Sequence, residues 1–85
     1  MKNFTYVVSD RQGLHARNAI QLAKVSETFQ SDVRIECGDR KADGKNVMGL
    51  MGLGISQGEA VRVYLDGEDE DQAYHHLEAL LREIL

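Results

Sequence analysis

An α+β domain, with helices covering one side of an antiparallel sheet, is the fold class this sequence predicts. Three observations carry that expectation. Three short stretches alternate apolar and polar residues, as half-buried strands do, and a short polar stretch pairs back beside the second. Two longer segments repeat apolar residues at helical spacing. The order is strand, helix, strand, strand, short helix, strand, helix over 85 residues, a length that suits a single domain, residues 1–85.

Each element has its own warrant. Phe4, Tyr6 and Val8 share one face of a first strand, with Thr5 on the other. Ser9 to Gly13 is a polar loop. An apolar periodic segment then runs from about Ala16 to Phe29. Ala19, Leu22, Ala23, Ser26 and Phe29 form its buried stripe, whose small residues let a helix lie close to a sheet. Ile20 lies off that stripe and is expected to be at least partly exposed. Val33, Ile35 and Cys37 alternate with Arg34 and Glu36 in a second strand. Gly38-Asp39 turns the chain, and Arg40 to Asp43 pairs back. Val47 to Leu53 reads as a helix of about two turns, with Asn46 as its cap. Gln57-Gly58-Glu59 is a turn before a fourth strand in which Val61, Val63 and Leu65 alternate with Arg62 and Tyr64. Asp69 with Gln72 matches a capping box, and Ala73, Leu77, Leu80, Leu81 and Ile84 form the apolar face of the last helix.

Composition narrows the function. A chain this short buries too little to enclose a deep substrate cavity, so chemistry is expected on the surface in a shallow site. One cysteine cannot form an internal disulfide or a thiolate metal cluster, which suits a reducing compartment. No stretch approaches the roughly 20 apolar residues of a membrane helix. Met1 to Thr5 lacks the apolar core of a signal peptide, so a cytoplasmic chain is expected. With 10 Lys+Arg against 14 Asp+Glu, the net charge of −4 argues against nucleic acid. His75 and His76 point about 100° apart on a helix and lack a third ligand, so no metal site is expected. Proline is absent altogether.

The chemistry concentrates in Gly13-Leu14-His15-Ala16-Arg17-Asn18. His15 stands just before a helix, whose first turn carries amide groups with no intrahelical partner. Those amides and the helix dipole favour an anion and disfavour added positive charge on the ring. Ala16 and Asn18 belong to that anion-cradling turn. Arg17 adds a guanidinium with donors matched to phosphate oxygens. Gly13 gives the loop freedom to leave the imidazole exposed. Two readings stay open on this local pattern alone: a surface or capping histidine, or a landing site for a phosphoryl group with a ring nitrogen as nucleophile.

Gly13-Leu14-His15-Ala16-Arg17, followed by a helix and then by Lys45-x-Val47-Met48-Gly49-x-Met51-x-Leu53-Gly54, resembles HPr, the histidine phosphocarrier family of the bacterial sugar phosphotransferase system. The resemblance covers essentially the whole chain. It implies an open-faced β-sandwich with strand order 1-4-2-3 under three helices. It implies that His15 takes phosphate on Nδ1 from enzyme I, charged by phosphoenolpyruvate, and passes it to an EIIA domain of a sugar or nitrogen relay. Arg17 steadies the phosphoryl group, and Ile20, Lys24, Val47, Met48 and Met51 dock both partners. The chain is then a monomeric carrier and not an enzyme, and no cofactor is implied.

Two departures matter. The family usually carries proline where this chain has Asn18, whose side chain can hydrogen-bond the phosphate or the loop. Proline suits a first helical turn, so Asn18→Pro is expected to be tolerated. Relatives with a serine at position 46 are phosphorylated there, and Asn46 has no hydroxyl to modify. The competing function is a regulatory relative that binds a partner without routine phosphate transfer. Retention of His15 and Arg17 argues against it.

Overall fold

The computed structural model describes residues 1–85. The elements are β1 (Lys2–Val7), α1 (Ala16–Glu27), β2 (Asp32–Cys37), β3 (Arg40–Asp43), α2 (Val47–Met51), β4 (Ala60–Asp66) and α3 (Glu70–Ile84). All strand pairs are antiparallel, in the order β1-β4-β2-β3. The three helices cover one side of this sheet, as the sequence predicts.

Register explains the two faces. Phe4 pairs with Val63, Val63 with Ile35, and Ile35 with Ala42, so one row of apolar side chains crosses the whole sheet. The next row, Thr5, Arg62, Glu36 and Lys41, is polar throughout and lies on the open face. Alternation along each strand produces this sorting. Helix residues Ala19, Leu22, Ala23, Ala73, Leu77 and Leu81 close over the apolar face and are almost fully buried. Each fully buried leucine there is worth roughly 1.5–3 kcal/mol relative to exposure. Ile20 is 43% exposed, off the stripe as expected.

Three local expectations are corrected. Helix α1 stops at Glu27, so Phe29 sits half-buried in the following turn and not on the helix. Helix α2 spans five residues and unwinds at Gly52, whose N–H donates to Met48 O at 3.0 Å. Asp69 does precede α3, but its carboxylate does not cap it. It accepts instead from Gln30 N (2.8 Å), Ser31 N (2.9 Å) and the Ser31 hydroxyl. Three donors in the α1–β2 turn outcompete the single donor a capping box offers. Glu70 takes over next to the helix start, accepting from Gly67 N at 3.1 Å.

Two further ties support the loop before α1. Leu14 N donates to Ile55 O at 3.0 Å. The segment holding Ile55 is itself braced by Arg40, whose guanidinium donates to Leu53 O at 2.6 Å and to Glu59 Oε2 at 2.6 Å. On the other side, Ser9 N and Asp10 N both donate to Leu85 O, at 2.6 and 2.7 Å. The loop is thus held between the β4 approach and the end of α3.

Candidate functional site

His15 is the N-cap residue of α1, with extended backbone (φ −126°, ψ −178°), and its side chain is half-buried. The ring is therefore less open than Gly13 alone suggests. Gly13 has φ +66°, and a Cβ there would run into the Ile55 carbonyl, so glycine is needed for both conformation and space. The backbone amides of Ala16, Arg17 and Asn18 make no backbone hydrogen bond, as the first turn of a helix requires. Those donors lie directly after the imidazole.

The ring lines an open polar depression of about 820 Å³, together with Asp10, Arg11, Gln12, Arg17, Asn18, Gln21 and Ile84. Only one of these eight residues is hydrophobic, which suits a charged group far better than an apolar one. Arg11 and Arg17 are exposed and engaged in no ion pair, so both guanidinium groups are free for an incoming anion.

Asn18 behaves differently from its neighbours. It is only 2% exposed. Its Oδ1 accepts from His15 N at 2.8 Å, and its Nδ2 donates to Gly13 O at 2.9 Å. His15 and Asn18 thus face each other as in a capping box, although the reverse contact toward the imidazole falls short of hydrogen-bond geometry. Of the two roles open to Asn18 from sequence, its side chain takes the one directed at the loop. Its backbone N–H remains with the first turn.

The other expected residues divide into two groups. Ala16, Ile20, Lys24, Met48 and Met51 are all exposed, Met48 at 76%. Val47 is half-buried and packs against the core, so it presents only part of its side chain. The second motif is also structural. Lys45 Nζ donates to Phe29 O at 2.9 Å, and Asn46 Oδ1 accepts from Gly49 N at 3.1 Å, capping α2 as expected.

Sequence reasoning missed Arg11, Gln12 and Gln21. Gln21 lies four residues after Arg17, one turn along the same helix face, so that neighbour was accessible from spacing. The approach of the α3 end to the loop carries no local signal.

A family model described as the PTS HPr component phosphorylation site matches residues 2–83. The chain belongs to the HPr family. A phosphocarrier protein HPr of Lysinibacillus sphaericus is 39% identical over 84 residues, covering 99% of this chain and 96% of the relative. Among solved structures, a Mycoplasma histidine-containing phosphocarrier protein superposes with a TM-score of 0.94 at 30% identity, covering 96% of this chain and 93% of that one. An HPr from Thermoanaerobacter tengcongensis gives 0.91 at 35% identity, covering 98% and 93%. HPr proteins are phosphocarriers of the phosphotransferase system and not enzymes. Within this HPr fold, no group of three or more His, Cys, Asp or Glu residues is arranged to hold a metal ion. No helix is long and apolar enough to cross a membrane.

Proposed function

We propose that His15 is the phosphoryl acceptor of this phosphocarrier, taking the group on Nδ1 from enzyme I and passing it to an EIIA-type domain. What supports this reading most is the meeting of one histidine with first-turn amides that make no backbone hydrogen bond and a free Arg17 in an open polar depression. The ring lone pair attacks phosphorus and forms a nitrogen–phosphorus bond. The donor's bond to phosphorus breaks, and its electron pair leaves with the donor. The negative oxygens then meet the amides of Ala16, Arg17 and Asn18 and the Arg17 guanidinium. Arg11 adds a second cation along the same wall.

An open site suits a carrier. Stabilisation in water is modest, so the group can be lost again to the next acceptor. Ile20, Lys24, Met48 and Met51, with the exposed part of Val47, supply the docking surface for both partners. Adaptable methionines beside a charged site suit recognition of more than one protein. Lys24 steers acidic partners. The relay operates in the cytoplasm with this chain as a monomer.

The test is phosphorylation by enzyme I and phosphoenolpyruvate, followed by mass. The wild-type chain is expected to gain one acid-labile phosphoryl group, and His15→Ala none. Equal labelling of both would remove His15 from this role. No labelling of the wild type by competent enzyme I would favour a regulatory relative.

A further inference from the structure

We infer that Asn18 is a positioning residue for His15, acting as a clamp on the two peptide groups that flank Leu14. This rests on the reading of His15 as phosphoryl acceptor. The Gly13 carbonyl belongs to the peptide before Leu14, and the His15 N–H belongs to the peptide after it. One carboxamide holds both, donating to the first at 2.9 Å and accepting from the second at 2.8 Å. The φ and ψ of Leu14 lie between those two peptide planes, so the clamp fixes both torsions. No other hydrogen bond is made by the His15 N–H or the Gly13 carbonyl.

The clamp is anchored from behind. The Asn18 side chain is buried, and its Nδ2 also lies 3.5 Å from Ile84 O at the end of α3. Leu14 is buried, and its N–H is tied to Ile55 O. The peptide between Gly13 and Leu14 is therefore held at its carbonyl by Asn18 and at its N–H by the β4 approach. The next backbone atoms along the chain carry the His15 ring.

The residue type is demanded by this geometry. The two bonded groups need a donor and an acceptor side by side on one short side chain, which asparagine provides. Aspartate keeps the acceptor but turns an oxygen toward the Gly13 carbonyl. Proline offers neither group, so Asn18→Pro, expected from sequence to be tolerated, would leave the His15 N–H and the Gly13 carbonyl without this partner. In this proline-free helix start a side-chain device fixes the loop from within.

The experiment compares wild type, Asn18→Ala and Asn18→Asp in steady-state phosphorylation by enzyme I and phosphoenolpyruvate, alongside amide hydrogen exchange at His15. Asn18→Ala is expected to lower kcat roughly ten- to a hundredfold with KM for the carrier little changed, because the docking residues are untouched. Its His15 amide is expected to lose exchange protection. Asn18→Asp retains the acceptor and is expected to keep that protection, which decides the matter should the alanine variant not fold. Val33→Ala serves as a destabilised control with unchanged kcat. Wild-type kcat in Asn18→Ala, or an unprotected His15 amide in the Asp variant, overturns the proposal. A wild-type chain that takes no phosphate overturns the reading of His15 instead, and the exchange data still decide whether Asn18 holds the loop.

Discussion

Replacing Gly13 by alanine isolates the contact that brings the loop under His15. Gly13 and Gly38 share nearly the same backbone, φ +66° and +63°. At Gly38 an added Cβ meets nothing within 4 Å, whereas at Gly13 it runs into the Ile55 carbonyl. The left-handed conformation costs a non-glycine residue about 1–2 kcal/mol. Loss of unfolded-state entropy returns about 0.4–1 kcal/mol of that. Gly38→Ala should therefore cost only about 1 kcal/mol or less. Gly13→Ala must in addition push Ile55 away and break the Leu14 N–H bond, leaving a buried donor unpaired for about 1–3 kcal/mol more. The sum is about 1–4 kcal/mol, or roughly 5–25 °C in midpoint for a chain of this size. Thermal unfolding of both variants measures the difference, and phosphoryl uptake measures its consequence at His15. Uptake should fall in Gly13→Ala and stay at wild-type level in Gly38→Ala. Equal stability losses at the two glycines would refute the argument from Ile55.

Other predictions follow from single contacts. Ser26 is fully buried with a hydroxyl that has no hydrogen-bond partner, so Ser26→Ala should raise stability by about 1 kcal/mol, read by urea unfolding. The Asp69 carboxyl is held below its ordinary value by the Ser31 hydroxyl first and then by the Gln30 amide. A depressed carboxyl contributes stability above its unfolded pKa and loses it as pH falls through the folded one. Wild-type stability should therefore drop below about pH 4, and Asp69→Asn should show a shallower acid limb with lower stability at neutral pH. Met48 is exposed and belongs to the proposed docking surface, so Met48→Glu should raise KM with enzyme I several-fold and leave thermal stability within about 0.5 kcal/mol of wild type.

Periodicity made most of the fold legible. The alternation of Val33, Ile35 and Cys37, and of Val61, Val63 and Leu65, is local information, and the register converts it directly into one buried face. The place of His15, Ala16 and Arg17 at a helix start is legible for the same reason, because a helix start is defined by its own few residues. What was hidden depends on partners distant in sequence. Asp69 has the spacing of a cap, yet its donors lie 38 and 39 residues earlier. The stripe through Phe29 looked continuous because a side chain in the next turn also reaches the core. Asn18 was ambiguous between phosphate and loop until burial settled the direction of its side chain. Arg40 looked like one more polar strand residue, since its acceptors at Leu53 and Glu59 belong to another loop.

The most direct measurement is a mass time course on the intact wild-type chain. Enzyme I and phosphoenolpyruvate are added first, enzyme I is then removed, and an EIIA-type acceptor follows. The chain should gain one phosphoryl group located on His15, then lose it as the acceptor gains the same group. A chain that stays unlabelled, or a label lodged on any other residue, would contradict it.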